Sequence, residues 1–444
     1  MIRLTIAFFV GLLTAVSAAP PNIVFIMADD MGWGDAGVYG QKRIHTPEID
    51  RMAREGLRFM QVYSGHPVCA PSRNVLMTGQ HTGHTTIRGN FGVTGGVRGL
   101  GGGRNRIPLR AEDVTVAEVL EGAGYVTGIT GKWGLGEPGT PGTPNKQGFD
   151  EWFGYLNQRR AHTYYPTFLW FNEAKFDLTG NARGEMSQYT HDLFTGFALN
   201  FIRRHAGERF FLYVAYTIPH RAFRVPQLGE YADKPWEPEQ KAYAAMITRM
   251  DADIGRILEL LDELGLSERT IVFFTSDNGA ADRYDGLFDS AGPFREEKGS
   301  VYEGGIRVPM IVRWPGHVPQ GETDGETVWY FADFLPTAAE LAGIEAPGNI
   351  DGVSVVRALL GEPLEMEGRY LYWESHSRGF HQAARRGRWK AVRHGLNAPI
   401  ELYDLSRDPG EKHDVAAQHT EIVAGFAEYF RSCRTDSEYF PVRR

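Results

Sequence analysis

Cysteine is nearly absent from this chain: Cys69 and Cys433 are the only two among 444 residues. A disulfide framework is therefore excluded, and stability has to come from a buried core. If Cys69 serves a function, Cys433 has no partner, so no intrachain disulfide is expected. Long apolar runs are also missing. The longest, Leu4 to Val16, falls short of the roughly 20 residues that a membrane-spanning helix needs. Arg3 precedes it and Ser17, Ala18 and Ala19 follow it, which is the layout of an export signal. Residues 1–18 are expected to be removed and the rest to be periplasmic or secreted, with no stable membrane insertion. A basic excess is the third absence. Lys and Arg number 47 against 55 Asp and Glu, a formal net charge of −8. Nucleic acid is thereby excluded as a partner, because a phosphate backbone calls for a broad basic surface. A small anionic substrate requires only a local basic pocket.

What the chain does have is alternation. The short apolar runs NIVFIMA, YVTGIT, RFFLYVAY, TIVFFTS and VPMIVRW are interleaved with helix-like stretches at Val114 to Gly122, Gln240 to Leu264 and Trp329 to Leu341. Runs too short for helices and apolar on both faces indicate an α/β domain around a mostly parallel, buried sheet flanked by helices. The Gly- and Arg-rich stretch from Gly95 to Pro108 reads as a surface loop near the site. A boundary is expected near Pro363 to Arg369, dividing a catalytic domain at 19–365 from a C-terminal α+β subdomain at 366–444. In the latter, RYLYWES, HQAARRGRWKAVRH and IELYDLSRDPGE read as short antiparallel strands, and Val415 to Arg431 as a helix.

Two acidic pairs close two of the predicted strands: Asp29-Asp30 after NIVFIMA, and Asp277-Asn278 after TIVFFTS. In open α/β sheets the ligand crevice lies at the carboxyl ends of strands, so both pairs point to one place. Three carboxylates there would repel one another, and a hard divalent cation resolves the repulsion. Ca²⁺ is the first choice and Mg²⁺ the second, because the donors are carboxylate and amide oxygens. Each pair alone would read as a helix cap or a turn. Pro71 suits the first turn of a helix, which puts Cys69 at a helix N-terminus where negative charge is favoured. As a thiol, Cys69 is either a nucleophile of lowered pKa or an inert buried residue.

The segment Cys69-Ala70-Pro71-Ser72-Arg73, followed by Leu76, Thr78 and Gly79, closely resembles the signature of the type I sulfatases of the alkaline phosphatase superfamily. The segments IVFIMADDMGWGD, GYVTGITGKWGLG, FFLYVAYTIPH, FFTSDNG, EKGSVYEGGIRVPMIVRWPG and GRWKAV…ELYDLSRDPGE extend the resemblance in the family's order over nearly the whole chain. The resemblance implies an alkaline phosphatase-like fold and conversion of Cys69 to Cα-formylglycine by a maturation enzyme. It also implies Asp29, Asp30, Asp277 and Asn278 as calcium ligands. Arg73, Lys132, His220 and Lys298 fall on its active-site cations and proton carriers. A hydrated aldehyde at position 69 offers one hydroxyl to attack sulfur and a second whose proton loss expels sulfate, an exit that Ser or Cys lacks.

The chain departs from the family at Gly134, where many relatives have the histidine that takes this second proton. His66, His81, His84 and His162 are the candidate replacements. His162 stands out because Arg159, Arg160, Tyr164, Tyr165 and Trp170 surround it in a loop suited to sugar or aryl recognition, so His162, Arg160 and Tyr164 are expected to bind substrate. His376, Arg378 and His381 are expected over the mouth or on plain surface. A sulfated carbohydrate is the preferred substrate class. Alternatives are an aryl sulfate, a phosphonate or phosphate ester, and a non-catalytic role as a binder of sulfated glycans.

Overall fold

A computed structural model describes residues 19–99, 105–281, 284, 286–366, 368–377 and 379–442. The expected export signal at 1–18, Arg378 and part of the Gly95 to Pro108 stretch lie outside the described residues. In chain order the main strands are β1 (Asn22–Asp29), β2 (Leu57–Tyr63), β3 (Val126–Lys132), β4 (Glu151–Tyr155), β5 (Phe168–Phe171), β6 (Ala174–Asp177), β7 (Phe210–Pro219), β8 (Thr270–Ser276), β9 (Arg307–Arg313) and β10 (Glu322–Asp324). They form one sheet in the order β10-β2-β9-β8-β1-β7-β3-β4-β5-β6, and Trp329–Tyr330 also pairs with β2. The five apolar runs of the sequence are the contiguous centre of this sheet, β9-β8-β1-β7-β3. From β8 to β4 the pairing is parallel, whereas β9 runs antiparallel to β8, and β5 and β6 close the other edge antiparallel. The fold is thus α/β with a mostly parallel sheet and antiparallel margins.

Both faces of the central strands are dry, as their unbroken hydrophobicity requires. Ile23, Phe25 and Met27 of β1 point into one core, packed with residues of helices α1 (Cys69–Thr78), α2 (Val116–Gly122) and α5 (Phe334–Leu341). Val24, Ile26 and Ala28 point into the other, packed with α3 (Thr190–Arg204) and α4 (Pro238–Glu263). The stretch expected as one helix from Trp329 divides instead: Trp329–Tyr330 extends along β2, and the helix begins at Phe334. Its register with β2 fills an edge pairing that hydrophobic periodicity alone does not reveal.

The C-terminal strands β11 (Tyr370–Ser375), β12 (His381–Arg386), β13 (Trp389–Arg393) and β14 (Glu401–Asp404) form an antiparallel meander. One face of it, with Leu371, Trp373, Ala383 and Val392, joins the core of the large sheet. The other is covered by α6 (Thr420–Ser432) through Phe426 and Phe430, and Cys433 lies buried beside them as a free thiol.

A polar lock fastens the two parts. Glu374 on β11 is fully buried and accepts hydrogen bonds from Arg88 at 3.2 Å and from Arg434 at 2.8 Å, with His376 Nε2 at 3.1 Å. Burial raises its carboxyl, but His376, Arg88 and Arg434 outweigh burial and bring it to about 2. Its native value therefore lies below the ordinary 4.5, so its stabilisation is complete above that pH and is lost as pH falls toward 2. Glu374→Gln leaves the buried Arg88 and the half-buried Arg434 without their counter-charge and is expected to lower unfolding free energy by about 3–5 kcal/mol near neutral pH. Denaturant titration at pH 7 and pH 3 checks this, with a smaller difference expected at pH 3.

Candidate active site

The sheet's carboxyl edge collects the chemistry. β1 ends at Asp29, and Asp30 turns the chain with φ +69°, its amide donating to Asp277 Oδ1 at 3.2 Å. The Asp277 amide donates back to the Ala28 carbonyl at 3.1 Å, so the ends of two paired parallel strands hold both acidic pairs side by side. Cys69 is the first residue of α1, aimed at this corner and 1% exposed. Arg73, one turn further on the same helix face, grips Asp277 Oδ2 with Nε at 3.0 Å and Nη2 at 2.9 Å. Its Nη1 donates to the Lys132 carbonyl at 3.0 Å, which ties the end of β3 into the site.

Lys132 Nζ lies 2.6 Å from Asp29 Oδ2. Lys298 Nζ donates to Asp30 Oδ1 and sits 3.4 Å from Cys69 Sγ, while its loop is pinned by the Lys298 amide to Ala280 and the Gly299 amide to Pro67. Sγ is also 3.4 Å from Asp29 Oδ1 and 4.0 Å from Asp30 Oδ1. His220 Nε2 is 3.3 Å from Asp30 Oδ2. The His162 ring stacks on that of His220 at 3.4 Å and 10°, with its Nε2 3.4 Å from Lys132 Nζ and 3.8 Å from Asp29 Oδ2.

Electrostatics decides what these groups are. Burial pushes the Cys69 thiol up to about 12, against the pull of Lys132 and Lys298. A thiol held protonated is a poor nucleophile at neutral pH, which argues against the lowered-pKa reading. Burial would raise Asp29, yet Lys132 and His220 hold it well below the usual carboxylate range. Burial and the Asp29 charge lift Asp277 to about 6, with Arg73 opposing. Burial also lowers His220 to about 4 and His162 to about 3, so both are neutral at pH 7.

Lys132, Lys298 and Arg73 already balance the three carboxylates, so repulsion alone does not demand a metal here. The amide does. Asn278 Nδ2 donates to Asp30 Oδ1 at 2.8 Å, which leaves Asn278 Oδ1 buried without a partner. An orphaned carbonyl oxygen beside carboxylates from Asp29, Asp30 and Asp277 is a donor set of the hard-cation type, and these residues fit such an ion.

Other sequence candidates fall elsewhere. Tyr164 is fully buried and its hydroxyl donates to the Thr217 carbonyl at 2.9 Å and to that of His220. It shapes the His220 turn and has no surface for a substrate, contrary to expectation. Arg160 is half-buried with its guanidinium 4.0 Å above the Phe168 ring. His81 and His84 lie beyond the far end of α1, both beside Asp351, and so cannot serve Cys69. His66 is buried, its Nδ1 accepting the Val68 amide. His376 turns in to Glu374 instead of covering a mouth, and His381 faces His394 at 2.8 Å. Sequence reading missed Ser72, whose hydroxyl donates to the Asp277 carbonyl at 2.5 Å, and Asn90, whose Oδ1 accepts the Ala70 amide at 3.0 Å. For Asn90 no local signal exists, since it lies 20 residues from its partner.

Comparison with known proteins agrees with this geometry. The sulfatase family model matches residues 21–344, and that of the C-terminal region of N-sulphoglucosamine sulphohydrolase matches 294–435. The chain is 32% identical to N-acetylgalactosamine-6-sulfatase of Canis lupus familiaris, covering 93% of this chain and 85% of that one. It is 32% identical to arylsulfatase A of Homo sapiens, covering 90% and 84%. Among solved structures it is similar to Ps i-CgsB, one form of which holds k-i-k-neocarrahexaose, with TM-score 0.81, 29% identity and 95% of both chains covered. The chain is therefore a member of the formylglycine-dependent sulfatases, sulfuric ester hydrolases of the alkaline phosphatase superfamily.

Proposed function

We propose that this chain is an exported carbohydrate sulfatase whose Cys69 is converted to formylglycine and whose Asp29, Asp30, Asp277 and Asn278 hold Ca²⁺. The observation that carries the reading is the convergence of Lys132, Lys298, Arg73 and four oxygen-bearing side chains around the tip of residue 69. Calcium, when bound, supplies positive charge to the sulfuryl oxygens, with Mg²⁺ as the alternative ion. The aldehyde hydrate supplies the attacking hydroxyl and the second hydroxyl through which sulfate leaves. Lys132 and Lys298 flank the position where the sulfuryl group must sit, and their ammonium groups stabilise its charge. Arg73 fixes Asp277 against the first turn of α1, close to the attacking hydroxyl. Lys298, on one oxygen of Asp30, is the proton donor available to the leaving oxygen, and His220, on the other, can serve only once the charge of the bound sulfate has drawn a second proton onto its ring. Stacked on His220, His162 forms one wall of the site and is placed to meet the substrate, with Arg160 at the same loop.

The relatives named for sulfated sugars support a carbohydrate substrate. Sulfate release from sulfated oligosaccharides, measured beside aryl sulfates and phosphate esters, tests the assignment using protein whose residue-69 peptide carries the aldehyde mass. Preference for an oligosaccharide sulfate is expected. Preference for a phosphate ester, or no turnover on any of these, would defeat it.

A further inference from the structure

Gly134 leaves a place that another residue fills. It follows Lys132 by two residues and has φ +80°, a conformation that strains any side chain. A Cβ built there would point at Gln158 Oε1 from 2.7 Å. Gln158 is 4% exposed, and its amide orientation is fixed by a chain of hydrogen bonds that starts at the backbone. The Ala70 amide, next to residue 69, must donate, so Asn90 presents its oxygen at 3.0 Å. The same oxygen accepts Gln158 Nε2 at 2.9 Å. Gln158 therefore cannot be flipped without setting two oxygens against each other, and its own Oε1 is left buried with no partner. A buried acceptor without a donor is costly, and it persists where a ligand or a modified group completes it.

Building on the sulfatase reading above, we propose that Gln158 takes the place vacated at Gly134, its Oε1 accepting a hydrogen bond from a hydroxyl of the hydrated aldehyde at position 69. A neutral amide holds that hydroxyl without taking its proton. When the carbon–oxygen bond to sulfate breaks and the hydroxyl becomes a carbonyl, the proton passes to water. Gln158 is thus a positioning residue that orients the second hydroxyl, and Asn90 sets its direction.

Gln158→Met keeps the volume and removes the acceptor. Two measurements on this variant test the proposal, each compared with the native residue. The first is the melting temperature of the thiol and aldehyde forms, the former made in cells lacking the maturation enzyme. Conversion is expected to raise the melting temperature of the native protein by about 2 °C and to leave that of Gln158→Met unchanged. The second is steady-state sulfate release, where kcat is expected to fall about 10- to 100-fold with KM within about twofold. An equal shift in both proteins, an unchanged kcat, or a loss confined to KM would overturn the proposal. Asn90→Leu serves as a second variant, expected to lose part of the same conversion shift. If the native protein carries the aldehyde and turns over sulfate esters while Gln158→Met matches it, this inference fails and the sulfatase reading stands.

Discussion

Cys69→Ser is expected to abolish steady-state sulfate release, with a loss of about 10⁴-fold or more. The reasoning starts at the thiol, which burial keeps protonated and which lies against Asp29 and Lys298 at 3.4 Å. On the proposed reading the sulfur in that setting is a precursor. Serine fits the same space at the start of α1 and presents a hydroxyl to the same cations, so the fold is expected to change by less than about 1 kcal/mol. A serine hydroxyl that captured a sulfuryl group would become a sulfate ester with no neighbouring hydroxyl to expel it. The variant should accordingly release at most one equivalent of alcohol per chain, and the mass of its residue-69 peptide should show the retained sulfuryl group. Cys69→Ala should give neither. Turnover by either variant within tenfold of the native enzyme would remove formylglycine from the mechanism.

Much of this corner is legible in the sequence, for a physical reason. Residues that close a parallel strand must lie at the carboxyl edge, so Asp29, Asp30, Lys132, Asp277 and Asn278 are placed once β1, β3 and β8 are recognised as buried strands. Cys69 and Arg73 are placed by helical spacing and by Pro71 in the first turn. Loop residues resist this reasoning because nothing periodic orients them. Tyr164 and His162 are two residues apart in one aromatic-rich segment, yet one is sealed under the His220 turn and the other stacks on the His220 ring. The same limit hid Gln158 and Asn90, which meet through a contact spanning 68 residues. Repulsion among the acidic residues suggested a metal, but the cations that offset it come from β3, α1 and a loop near residue 298, which only folding brings together.

Asp30→Asn is expected to lower turnover by about 10³-fold and to end any response to calcium. Asp30 is shared: Lys298, Asn278 and His220 all meet its carboxylate. In the site as described, the charges of Asp29, Asp30 and Asp277 are offset by Lys132, Lys298 and Arg73, so a bound divalent ion leaves a net positive pocket for a sulfate monoanion. Replacing Asp30 by the isosteric amide removes one hard anionic donor, frees Lys298 from its partner and adds a further unit of positive charge beside the ion, which opposes binding. For the native protein stripped by a chelator, added Ca²⁺ should restore activity and raise stability by about 2.7 kcal/mol once its concentration reaches about 100 times the dissociation constant. Melting curves across a calcium series read this directly. The native curve should move upward with each increment, whereas Asp30→Asn should stay where it began. A calcium-dependent shift of equal size in the variant would mean that the ion, if bound, is held by other residues.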